Sequence, residues 1–126
     1  MVAVAFLRLF SVLVTLPPAM AHEATHALVS KPWARRSRLA NPLSVQVSWQ
    51  VWWADDTPAW AVVFAALAPM LVGIAVGIVA FLWVFAVGYV PATAREWLLL
   101  SIVATWWGIY ACPSGSDTRT ARDALQ

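Results

Sequence analysis

Charge is what this sequence has least of. Of its 126 residues, 8 are Lys or Arg and 6 are Asp or Glu, so that 11% are charged against 62% hydrophobic. A soluble domain of this size cannot hide so much apolar surface, because small domains bury the smaller share of their chain. The bilayer is its natural solvent, in keeping with a mean hydropathy of +0.73. A net charge of +2 goes with few cations, and half of them sit between Lys31 and Arg38, beside apolar segments. That placement suits a membrane-flanking loop; membrane lipids are the expected surroundings and nucleic acid is not an expected partner. A single cysteine, Cys112, excludes an intrachain disulfide and leaves the compartment unread. It reads as a small buried hydrophobe at a helix end. Histidine is also scarce, with only His22 and His26, and there is no internal repeat.

The apolar residues fall into long runs, and the whole chain, 1–126, reads as one membrane domain. Residues 1–31 are apolar up to Thr15 apart from Arg8 and Ser11, pass through Pro17 and Pro18, and continue in a helical pattern to Ser30. About 30 residues make roughly 45 Å of helix, enough for one crossing but not two. One long helix kinked at the prolines is expected; the alternative is a re-entrant hairpin turned there. Met1–Ala21 also has features of a signal peptide, with Ala19-Met20-Ala21 as a cleavage site. Against that, no positive charge precedes the apolar core, and cleavage would remove the helix that spaces the residues after it. Residues 59–90 form a second span, broken only by Pro69, with Gly73, Gly77 and Gly88 as small packing surfaces. Residues 95–111 form a third, with Trp97, Trp106, Trp107 and Tyr110 near its ends, where aromatics meet the interface. The fold expected is therefore an all-α integral membrane protein of about three transmembrane helices.

Between the first two spans, residues 32–58 are polar or mixed. Leu43, Val45, Val47, Trp49, Val51 and Trp53 alternate with Ser44, Gln46, Ser48, Gln50 and Trp52, the period of a half-buried strand. Asn41-Pro42 opens the tract and Asp55-Asp56-Thr57-Pro58 closes it as a turn. The tail, 112–126, is polar, and Ser114 or Ser116 can cap a short helix from Asp117 to Leu125. Three crossings place Lys31, Arg35, Arg36, Arg38, Arg119 and Arg122 on one side, with Arg95 alone opposite. The positive-inside rule then makes the strand segment and the carboxyl terminus cytoplasmic, in a multi-pass protein of the cell membrane.

Chemistry concentrates in His22-Glu23-Ala24-Thr25-His26, an HExxH sequence. Positions i and i+4 of a helix share a face, so both imidazoles can reach one tetrahedral ion such as zinc. The glutamate between them is placed to take a proton from water that the ion has acidified. Both histidines of the protein lie in this motif, and Glu23 is a carboxylate in an apolar run, where ionisable groups mark functional sites. A third ligand must come from Asp55, Asp56, Glu96, Asp117 or Asp123. Glu96 lies on the far side of the membrane from His26, Asp55 and Asp56 read as a turn, and Asp117 reaches the near face.

HExxH on a membrane helix followed by a distant aspartate resembles the site-2 protease class of zinc intramembrane metalloproteases, in particular its compact prokaryotic and archaeal members. Two further stretches are similar to theirs in order: Ala68-Pro69-Met70-Leu71-Val72-Gly73 and Pro113-Ser114-Gly115-Ser116-Asp117. The Asn-Pro-Asp-Gly signature of larger members is absent, since Asn41-Pro42 is followed by Leu43. The resemblance implies a zinc-dependent peptidase with His22, His26 and Asp117 as ligands, Glu23 as general base, and a membrane protein or peptide as substrate. Substrate helices must unwind before cleavage because their amides are bonded internally. An edge strand near the metal can hold an unwound segment, and Leu43, Val45, Val47, Trp49 and Val51 form the expected edge; the alternative is an amphipathic segment lying on the headgroups. The alternative is a non-catalytic membrane protein, a degenerate member or assembly factor, keeping a structural or vestigial metal site.

Overall fold

The computed structural model describes residues 2–41 and 47–126. The elements in chain order are α1 (Val2–Ser30), β1 (Ala34–Ala40), β2 (Ser48–Trp53), α2 (Ala59–Val87), α3 (Ala94–Ala111) and α4 (Gly115–Asp123). The molecule is thus mostly helical, with one two-stranded sheet. Among the described residues, two helices are long and apolar enough to cross a membrane: α2, and the stretch Ala94–Asp123 that opens with α3. α1 is one continuous helix of 29 residues with Pro17 and Pro18 inside it. The alternative of a hairpin turned at the prolines is not what the chain adopts.

Helix ends follow local chemistry. α2 stops at Gly88, whose φ of 62° is left-handed, a conformation that glycine reaches without a Cβ penalty. Thr93 and Glu96 form a capping box that starts α3. Ser114 and Asp117 form a second one that starts α4, so Ser114 is the cap that the tail's composition foreshadows. α2 is the hub. Its first half presents a face of small buried residues, Ala61, Ala65, Ala66, Ala68, Pro69 and Gly73, against which α1, α3 and α4 pack. Without large side chains on that face the neighbouring backbones come close. Farther along, α2 and α3 turn large apolar side chains outward, Phe85 being 79% exposed. This inverts the pattern of a soluble protein.

The strand segment differs from expectation in one respect. β2 covers Ser48–Trp53, within the expected tract, but it pairs antiparallel with β1, with Leu39 opposite Trp49 and Arg36 opposite Trp52. β1 has the sequence Ala-Arg-Arg-Ser-Arg-Leu-Ala, with no apolar alternation to betray it, and its register is set by the partner strand. Leu43 and Val45 of the expected edge lie outside the described residues. Cys112, expected to be buried, is exposed, because it sits in the break between α3 and α4, where no element covers it.

The α2–α3 seam depends on glycine. A Cβ on Gly73 would lie 2.3 Å from the Ala111 Cβ and 3.0 Å from its Cα, and one on Gly77 would lie 2.8 Å from the Trp107 ring. Trp107 also donates its indole N–H to the Gly73 carbonyl at 2.9 Å. Gly73→Ala is expected to destabilise the protein by about 1–3 kcal/mol through backbone displacement. Gly108, with nothing within 4 Å of its added Cβ, is the control. Gly108→Ala should be neutral or stabilising by about 0.5–1 kcal/mol, and thermal unfolding in detergent measures both.

Candidate metal centre

Four elements meet at one end of the molecule. α1 brings His22 and His26 on one face, one turn apart, and α2 crosses them at Ala65. α3 ends there with Tyr110, and α4 begins there with Asp117. The side chains of His22, His26 and Asp117 are all buried, His26 completely. His22 Nε2 lies 3.1 Å from Asp117 Oδ2, and His26 Nε2 lies 3.3 Å from Asp117 Oδ1. The two Nε2 atoms are themselves 3.1 Å apart. The i, i+4 spacing anticipates the meeting of the two imidazoles, and the three side chains together could hold a metal ion.

The outer nitrogens decide how the inner ones behave. His22 Nδ1 is 2.6 Å from the Tyr110 carbonyl, and His26 Nδ1 is 2.8 Å from the Ala65 carbonyl. A carbonyl only accepts, so each Nδ1 carries the hydrogen. In a neutral imidazole the Nε2 is then a bare acceptor. Two such nitrogens and a carboxylate face one another in a buried space, with no hydrogen to share. Unrelieved, that is an arrangement of mutually repelling lone pairs, and a cation at its centre satisfies all three. Zinc bonds of about 2.0–2.1 Å in a tetrahedron place ligand atoms roughly 3.3 Å apart, close to the separations found. Three protein ligands would leave one position of a tetrahedral ion open.

The Asp117 carboxylate is fixed from behind. As the third residue of α4, it accepts the Ser114 backbone N–H on Oδ2 at 2.6 Å, while its own N–H reaches the Ser114 hydroxyl at 3.2 Å. Burial opposes its ionisation. Hydrogen bonds from His22 and His26, when these carry the extra proton in place of a metal, and from Ser114 more than offset that cost and hold the carboxyl far below its usual range. Protons and a metal therefore compete for the same inner atoms.

Glu23 leaves α1 toward the hairpin. It is half-buried, and its Oε2 accepts the backbone N–H of Trp49 at 2.6 Å. The Trp49 indole lies flat on His26, with ring centroids 4.8 Å apart and planes 12° from parallel, and its N–H reaches the Ser37 hydroxyl at 3.1 Å. Ser37 in turn lies 3.2 Å from the buried Ser30 hydroxyl at the end of α1. The hairpin is thus docked over the site through Trp49. Thr25 gives its hydroxyl hydrogen to the Ala21 carbonyl at 2.8 Å, so Tyr110, 3.0 Å away, donates to Thr25 and ties α3 to the motif helix.

The other acids are elsewhere. Asp55 pairs with Arg35 at the exposed surface, Asp56 lies in the turn before α2, and Glu96 caps α3. Three contributors were not foreseen from the sequence: the Ala65 and Tyr110 carbonyls, for which side-chain identity carries no signal, and the Trp49 ring. The last had a signal, since Trp49 shares the inward parity of the alternating tract. No family model, no curated protein and no solved structure matches this chain.

Two measurements test the ligand set. His26→Ala should abolish metal retention after purification, and Glu23→Gln should keep it, because only the first removes a ligand. In the wild type, acid competes with metal, so apparent affinity should fall steeply as the pH is lowered from about 8 to about 5. Competition with a chromophoric chelator reads both, and a pH-independent affinity would contradict coordination by imidazole.

Proposed function

We propose that this protein is a zinc-dependent membrane metalloprotease that hydrolyses peptide bonds at or within the membrane. The observation that carries the reading is the convergence of His22 Nε2, His26 Nε2 and Asp117 within 3.1–3.3 Å, with Glu23 on the same helix. Zinc bound there supplies Lewis acidity, stabilising developing negative charge and acidifying water to a pKa of about 7. The chain does the rest. His22, His26 and Asp117 hold the ion, their outer hydrogen bonds preventing rotation. Glu23 accepts a proton from the attacking water through its carboxylate and returns it to the departing amide nitrogen. The Trp49 N–H keeps that carboxylate oriented.

β2 offers the means of holding substrate. The Trp49 amide is engaged by Glu23 on α1, so this edge of β2 faces the site and not β1. A substrate segment unwound from its helix can pair as an added strand along Val47 and Val51, which flank Trp49 on this edge, the Trp49 N–H staying with Glu23. In this reading α1, α2 and α3 each cross the bilayer. Lys31, Arg35, Arg36, Arg38, Arg119 and Arg122 then lie on the side of the metal centre, which the positive-inside rule makes cytoplasmic together with the carboxyl terminus.

A second reading, a membrane protein with a non-catalytic metal site, draws on the hydrogen bond that occupies one Glu23 oxygen. The two separate on one variant. Glu23→Gln preserves shape but cannot take a proton, and should lower cleavage of a membrane-tethered test substrate by about a hundredfold to ten-thousandfold while metal stays bound. Equal cleavage by the variant and the wild type would favour the non-catalytic reading.

Orientation has a native probe, because Cys112 is the sole cysteine and is exposed. In intact cells a membrane-permeant maleimide should label it and an impermeant one should not. Labelling by both would reverse the topology.

A further inference from the structure

The hairpin has two faces, and the metal centre uses only one. Side chains alternate along a strand, so Ser37 and Trp49 point toward α1 while Arg36, Arg38, Gln50 and Trp52 point away. On that outer face the guanidinium groups of Arg36 and Arg38 each lie 5.5 Å from the centroid of the Trp52 ring. Arg38 also donates to the Gln50 side-chain oxygen at 3.0 Å. Both arginines are exposed, and Trp52 is 46% exposed. Of the cations on the hairpin, Arg35 has a carboxylate, that of Asp55; among the described residues Arg36 and Arg38 have none.

We propose that this face, Arg36, Arg38 and Trp52, is a docking platform for the headgroups of anionic phospholipids. The inference rests on the membrane placement proposed above but not on catalysis. A guanidinium presents a planar fork of donors matched to phosphate oxygens. Here two forks are ordered in advance by one aromatic ring and one amide, which reduces the entropy lost when phosphate binds. The indole between them has an apolar body and a polar edge, the combination that settles at headgroup depth. Position supports the same occupant, since the hairpin joins the end of α1 to the start of α2 and therefore lies where apolar helices emerge. A headgroup carrying its own cation brings little net charge to two uncompensated guanidiniums. An anionic one neutralises them.

The test uses the full chain, purified in neutral detergent, equilibrated with mixed micelles of phosphatidylglycerol and phosphatidylcholine in equal amounts, and repurified. Quantifying the co-eluting lipid should show phosphatidylglycerol retained over phosphatidylcholine by on the order of tenfold. R36Q/R38Q should bring the ratio near one with its circular dichroism unchanged. Arg95→Gln, at the opposite end of α3, should keep the wild-type ratio. Equal retention of the two lipids by the wild type, a preference that survives in R36Q/R38Q, or an equal loss in Arg95→Gln would overturn the proposal. So would displacement of the lipid by inorganic phosphate or by a short DNA duplex at matched phosphate concentration, since either would mark a general anion surface. Carbonate-resistant recovery from phosphatidylcholine vesicles tests membrane placement separately. A chain that stays in those vesicles yet shows no headgroup preference sinks the platform and leaves the placement standing.

Discussion

Three acceptor atoms held against one another, away from water, form the constraint around which the rest of the structure is arranged. Each Nε2 is bare because a backbone carbonyl has claimed the hydrogen on the opposite side of its ring. The carboxylate between them is pinned by the first turn of a helix. Such a cluster is unfavourable by itself, because buried acceptors without hydrogens repel and have lost their water. It persists in a folded protein only with a positive charge inside it, a metal ion or added protons. Everything that keeps the three atoms in place therefore also keeps their affinity for a cation high.

That positioning is distributed over elements far apart in sequence. The small-residue face of α2 lets α1 approach closely enough for the Ala65 carbonyl to reach His26. Gly73 and Gly77 let α3 lie flush against α2, and this places the last turn of α3, with Tyr110, over His22. The hairpin closes the remaining side through one residue, Trp49, whose amide, ring and indole N–H each engage a different partner. Packing, capping and second-layer hydrogen bonding are thus successive layers of one arrangement, and a defect in the seam between α2 and α3 would be felt at the histidines.

Much of this was legible in the sequence because the relevant physics is local or periodic. Apolar runs and their interruptions delimited α1, α2 and α3 to within a few residues, and i, i+4 spacing put both imidazoles on one face. Counting crossings set Glu96 aside and turn chemistry set Asp55 and Asp56 aside in favour of Asp117, and the convergence of its carboxylate with both rings agrees with that choice. What escaped was non-local. β1 is rich in arginine and has no alternation, so only its partner makes it a strand. The carbonyls of Ala65 and Tyr110 act through the backbone, which leaves no trace in residue type. Cys112 looked like core because it follows an apolar helix, whereas the chain breaks at that point and exposes it.

Asp117 does two jobs with one carboxylate, since it closes the capping box of α4 and faces the histidines. Along α4 only Asp117 and Ala121 are buried, and the helix rests against α2. Its attachment to the bundle is therefore partly polar, through Asp117, and partly a matter of packing on α2. A cation held between the imidazoles would also bear on the first turn of α4, since the carboxylate facing it is the one that closes the capping box.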